Sequence, residues 1–116
     1  MRNMSFAMTT SQFRARTKDV TRRFGWWQLK PGDQVMGVEK GMGLKPGEKV
    51  VRLGAIEIVS TRLEPLSAIT QQDVVREGFP NLTPEQFVAM LVEHYGCNTD
   101  DEVNRIEYRY LEVRQE

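Results

Sequence analysis

The rhythm of apolar and polar positions changes at Leu66. Before it, short apolar runs alternate with turn residues. "MSFAMTT" predicts a strand from about Met4 to Met8, closed by Thr9, Thr10 and Ser11, which suit turns and helix starts. A helical turn or two follows from Gln12 to about Thr17, and β-branched Val20 and Thr21 read as extended. "LKPGDQV" and "LKPGEKV" each place a Pro-Gly turn before an apolar stretch, so two strands enter through similar turns, with "EKGMGLKPGE" as the loop between them. The second strand is long, and a bend at Gly54 fits a strand curving around a barrel.

After Leu66 the spacing becomes helical. In "LSAITQQDVVREGF", Ser67 and Thr70 are start signals, Ile69, Val74 and Val75 are the apolar positions, and Gly78 is a stop. "NLTPEQFVAMLVEHYG" carries the clearest helix, with Thr83 as N-cap, Pro84 in the first position and Gly96 at the end. Phe87, Met90, Leu91 and His94 or Tyr95 share its apolar face. "VNRIEYRYLEV" predicts a last strand with Ile106, Tyr108 and Tyr110 on one side and Glu107, Arg109 and Leu111 on the other. The sum, about five or six mostly antiparallel strands with two or three short late helices, predicts an α+β fold on a small, partly open β-barrel. A chain of 116 residues is too short for two ordinary cores, so residues 1–116 are read as one domain.

Composition narrows the setting. The lone Cys97 excludes an intramolecular disulfide and fits a reducing compartment. No apolar run approaches the roughly 20 residues that span a bilayer, and no long apolar leader opens the chain, so a cytoplasmic protein without a membrane partner is expected. The net charge of zero conceals a split: Met1 to Leu63 holds 12 Lys or Arg against 5 Asp or Glu, and Glu64 to Glu116 holds 4 against 11. Such a chain has a basic face and an acidic face, or two halves that pair with each other.

The basic excess centres on "FRARTKDVTRRFGWW". Lys18 and Thr21, three apart, can face a common cleft; a partly buried lysine among cations loses preference for its charged form and can act as a base on a threonine hydroxyl. A neighbouring arginine can hold an oxyanion or an anionic group. Equally, Arg14, Arg16, Arg22 and Arg23 can neutralise phosphates while Trp26 or Trp27 stacks on an unpaired base. Adjacent residues on a strand point opposite ways, which predicts one tryptophan buried and the other free.

"RTKDVTRRFGWWQLKPGDQV" resembles the ASCH domain (activating-signal-cointegrator homology) of the PUA-like superfamily. That family carries a Gly-x-Lys-x-x-Thr-x-Arg motif followed by a Pro-Gly-Asp or Thr-Gly-Asp turn into a strand. The matching positions are Lys18, Thr21, Arg23, Lys30, Pro31, Gly32 and Asp33, while Ala15 or Arg16 stands where the family has Gly. The resemblance implies a small β-barrel whose cleft is lined by the motif and binds RNA or a nucleoside. One group of small bacterial ASCH proteins hydrolyses N4-acetylcytidine with a lysine, a threonine and a glutamate. Lys18 and Thr21 match the first two, and Glu77, ahead of a Leu-Thr helix start, matches the third with a local insertion at Phe79 and Pro80.

Other candidates are weaker. His94 and Cys97 are too few to close a metal site, and no second His or Cys exists. "KGMGLKPGEK" lacks the residue order of a phosphate loop and reads as a surface hairpin loop. The sequence therefore predicts an ASCH-type domain that binds RNA or a modified pyrimidine nucleoside in a basic cleft, with no metal or cofactor. An amidohydrolase using Lys18, Thr21 and Glu77, and a non-catalytic protein-interaction adaptor, are the alternatives.

Overall fold

The computed structural model describes residues 1–112. Five strands form one sheet: β1 (Arg2–Ser5), β2 (Val20–Arg23), β3 (Gln34–Val38), β4 (Arg52–Pro65) and β5 (Glu102–Tyr110), in the order β1-β3-β4-β5-β2. β1 lies parallel to β3, and every other neighbouring pair is antiparallel. The sheet curls into a half-barrel because β4 is broken twice. Its register slips against β3 next to Gly37 and Gly54, and again against β5 between Ile58 and Ser60; such bulges sharpen the local twist. Gly37 also makes room for the core, since a Cβ there would lie 2.5 Å from Phe13 Cζ.

Three helices, α1 (Thr10–Ala15), α2 (Gln71–Arg76) and α3 (Pro84–Tyr95), complete the α+β domain. α3 starts at the Thr83 N-cap with Pro84 in its first turn and ends at left-handed Gly96, as its sequence predicts, and Thr83 and Gln86 close a reciprocal capping box. Thr70 caps α2 by accepting from the Asp73 N–H at 3.2 Å. α1 ends at Arg16, whose φ of 58° places a non-glycine residue in the left-handed region.

One core lies against the sheet, around Met4, Phe6, Phe13, Ile56, Ile106 and Tyr108, and a second lies under α2 and α3, around Leu66, Val74, Phe87, Leu91 and Val103. The first strand and helix lie earlier than the sequence predicts. β1 ends at Ser5, and Ala7–Thr9 form a 3-10 turn because buried Phe6 takes the last sheet hydrogen bond, to Val38 O at 2.8 Å. The last strand ends at Tyr110, and Val113 lies outside the described residues. Among the described residues no helix is long and apolar enough to cross a membrane.

Candidate functional site

Residues from both edge strands of the sheet, from the α2–α3 connection and from α3 line a cleft of about 170 Å³. Lys18, Thr21, Arg22, Arg23 and Glu77 form its polar part, and Phe6, Phe79, Phe87 and Leu91 are among its apolar walls. His94 and Tyr95 stand at the C-terminal end of α3 on the same cleft, their rings edge to face at 4.7 Å.

Lys18 is fixed at both ends. Its main-chain carbonyl accepts hydrogen bonds from the hydroxyls of Tyr108, at 3.1 Å, and of Tyr110. The next residue is tied to α2 by Asp19 N–H donating to Arg76 O at 2.9 Å. The Lys18 ammonium, 2% exposed, donates to Glu77 Oε1 at 2.6 Å, to Val20 O at 2.7 Å and to Glu77 O at 3.2 Å. Burial lowers its pKa below the ordinary lysine value, against the opposing pull of Glu77. The sequence-predicted pair of Lys18 and Glu77 is therefore a direct contact, although the two are 59 positions apart.

Thr21 shares the cleft but not that contact. Its Oγ1 accepts from Arg23 Nε at 2.9 Å, and among the described residues it has no hydrogen bond with Lys18. Arg23 lies over the Phe6 ring, 4.8 Å from its centroid. Among the described residues Arg23 forms no ion pair with a carboxylate, and only its Nε has a protein acceptor. Its two terminal nitrogens are thus left as donors, and burial lowers its pKa from the ordinary arginine value.

The Arg22 side chain is turned into the protein. Predicted as a ligand-binding cation, it is instead consumed by protein carboxylates: Glu77 Oε2 at 3.1 Å, Glu64 Oε2 at 3.0 Å and Asp73 Oδ2 at 2.6 Å. Arg105, paired with Arg22 across β5 and β2, holds Asp73 through Nε at 2.7 Å and NH2 at 3.1 Å. Like charges opposite each other on a sheet repel, and Asp73 between them removes that cost. The basic and acidic parts of the chain thus pair with each other in the interior, through Lys18 and Arg22 against Glu64, Asp73 and Glu77.

This network sets a pH dependence. Hydrogen bonding from Arg105 holds Asp73 far below the usual carboxylate range, with Arg22 adding to it against the cost of burial. Burial opposes ionisation of Glu64, yet hydrogen bonds from Arg62 and Arg22 outweigh it and lower its pKa as well. A depressed carboxyl pKa gives stability that is present in full above the unfolded-state value and is lost as pH falls through the folded one. Urea midpoints are therefore expected to fall steadily below about pH 4. Asp73→Asn should lower the midpoint at neutral pH and flatten this acid limb; an unchanged slope would remove Asp73 as its source.

Close packing at Gly78 holds Glu77 in place. Its φ is +98°, and a Cβ there would lie 2.7 Å from Gln12 Cγ. Gly78→Ala should cost about 1–3 kcal/mol, read from the unfolding midpoint.

The other sequence-predicted binding residues lie elsewhere. Arg14 pairs with Glu39 at 3.3 Å, and Arg16 lies over the Tyr110 ring at 5.2 Å. Trp26, with φ 59°, packs against the sheet core and under Arg2 at 4.8 Å. Trp27 is 50% exposed, beside Arg62 and Leu63, and neither tryptophan lines the cleft. The two do differ in burial, but through a turn after β2 rather than through strand alternation. The 39–51 loop contributes nothing to the cleft lining. Among the described residues no group of three or more His, Cys, Asp or Glu is placed to hold a metal ion.

Sequence reasoning missed Asp73, Glu64, Arg105 and the two tyrosines that hold Lys18. Asp73 follows the Thr70 cap and reads as an ordinary first-turn acid. Arg105 alternates with Glu107 and Arg109 and reads as a solvated face.

No protein-family model and no curated protein matches this chain. Among solved structures, protein EF3133 from Enterococcus faecalis, of family DUF984, is similar with a TM-score of 0.60 and 12% identity, over 90% of this chain and 67% of that one. Hypothetical protein PH0355 is similar with a TM-score of 0.67 and 16% identity, over 96% of this chain and 100% of that one. At these identities the likeness is one of fold.

Proposed function

We propose that the protein is an ASCH-type domain whose cleft binds a nucleobase presented as a nucleoside or an unpaired nucleotide. The observation that carries this reading is the convergence of Lys18, Thr21, Arg23 and Glu77 on one cleft with aromatic walls. Such a site matches a planar heterocycle with polar substituents: apolar faces for the ring, and directed donors for its exocyclic oxygens. The charge distribution favours a single nucleoside over a long polynucleotide. Of the basic segment, Lys18 and Arg22 are neutralised inside the protein and Arg14 is paired at the surface, which leaves few cations for a phosphate track.

The 2.6 Å contact of Lys18 with Glu77 supports a second, catalytic reading on the same cleft. Thr21 Oγ would attack the carbonyl carbon of an N4-acylated cytidine while Lys18, in its neutral form, takes the hydroxyl proton. Collapse breaks the C–N bond, the proton passes to the leaving amine with Glu77 assisting, and Arg23 holds the oxyanion. Water then cleaves the threonine ester, releasing the carboxylate and restoring the hydroxyl.

Calorimetry with cytidine, N4-acetylcytidine and a single-stranded RNA, each at low and high salt, tests the binding reading. Nucleoside binding with little salt dependence is expected, and binding of none of the three overturns it. Chromatography of N4-acetylcytidine incubated with the protein tests hydrolysis by the appearance of cytidine and acetate.

A further inference from the structure

The open edge of β2 carries a recognition element made of main chain rather than side chain. In an antiparallel pair, residues alternate between those that exchange both main-chain hydrogen bonds with the neighbour and those that turn both groups away. Tyr108 N–H donates to Asp19 O at 3.0 Å, which sets the phase: with Thr21 opposite Ile106 and Arg23 opposite Asn104, these residues bond to β5, and Val20 and Arg22 turn outward. Lys18 bears this out independently, since its Nζ reaches Val20 O on that outward side. β2 is an edge strand, so the next outward pair, Arg22 N–H and Arg22 C=O, has no strand to meet. Neither group has another hydrogen-bond partner among the described residues.

Arg22 lines the cleft, yet its side chain is 1% exposed while the whole residue is 5% exposed. What it presents is therefore its main chain. The side chain acts as an anchor, since three carboxylates hold its guanidinium.

We propose that Arg22 N–H and Arg22 C=O read the edge of a cytosine ring, the N–H donating to ring N3 and the carbonyl accepting from the N4–H. A residue in extended conformation sets one donor beside one acceptor, and this edge sets one acceptor beside one donor. N4-acylation leaves one N4–H, so the same edge serves an acylated and a plain cytidine. This inference rests on the nucleoside reading of the cleft and adds to it the ring edge that is selected. A site that turns a fixed donor to a ligand acceptor rejects an analogue that lacks it, because the donor is left unpaired.

The test is a titration of the full-length, 15N-labelled chain followed by amide NMR, with cytidine and with 3-deazacytidine, in which C–H replaces N3. Cytidine should shift the Arg22 amide proton downfield along the same saturation curve as the Thr21 and Arg23 amides. With 3-deazacytidine, affinity should fall about tenfold and the downfield shift of Arg22 should vanish. If both nucleosides bind equally and move Thr21 and Arg23 while Arg22 stays still, the ring-edge inference fails and the cleft reading stands. If neither cytidine nor N4-acetylcytidine moves any of these amides at saturation, both fail.

Discussion

Replacing Glu77 with alanine should cost about 3–5 kcal/mol of stability, because it leaves the buried Lys18 ammonium without a counter-ion and takes one of three carboxylates from Arg22. Lys18 Nζ and Arg22 NH1 both take this carboxylate, at 2.6 and 3.1 Å, and the side chains of all three are at most 4% exposed. Arg22 keeps Asp73 and Glu64, but Lys18 keeps only main-chain carbonyls, at 2.7 and 3.2 Å. For a domain of this size the thermal midpoint should drop by roughly 10–20 °C. Changing Lys18 to methionine in the same chain removes the stranded charge, so the double variant should be more stable than Glu77→Ala alone. A midpoint of Glu77→Ala within a degree or two of the parent would mean that the network contributes little. For function, loss of activity in Glu77→Ala says nothing about acid catalysis until folding is shown to survive. Glu77→Gln, which keeps volume and an acceptor oxygen, is the informative variant.

How much of this was legible in the sequence follows from how local each signal is. The Thr83 cap of α3, its Gly96 terminus and the turn before β3 are set by residues within a few positions, and the structure has them where the sequence places them. The curvature follows from Gly54, and Ile106 and Tyr108 on β5 face the core as their spacing predicts, but Asn104 and Arg105 are buried as well, against that alternation. The role of Arg22 was not legible, because a cation beside Lys18 and Arg23 reads the same whether it meets solvent or three carboxylates from β4, α2 and the α2–α3 connection. That distinction depends on contacts 42 to 55 positions away. Of the candidate set, the Lys18–Glu77 pair was reached by the motif resemblance rather than by spacing, while the tryptophans, read on composition as a stacking platform, lie outside the cleft.

Thr21→Ala should separate catalysis from binding. If Thr21 Oγ is the nucleophile, hydrolysis of N4-acetylcytidine should fall by about a thousandfold or more, because alanine has no group that can attack the carbonyl. The fold should survive, because the change removes one hydroxyl that accepts a single hydrogen bond, from Arg23 Nε, at a cost of about 1 kcal/mol. Thr21→Ser should retain much of the rate, and a burst of cytidine ahead of steady acetate release would mark the ester intermediate. The rate should also climb with pH through the pKa of Lys18, which burial sets below the ordinary lysine value, because only the neutral amine accepts the Thr21 proton. Turnover by Thr21→Ala at the parent rate would assign the attack to water and leave Thr21 as a ligand of Arg23. A parent protein that binds N4-acetylcytidine but never releases acetate would leave the cleft as a recognition site alone. In that case Lys18 and Glu77 form a buried pair that braces β2 against the end of α2.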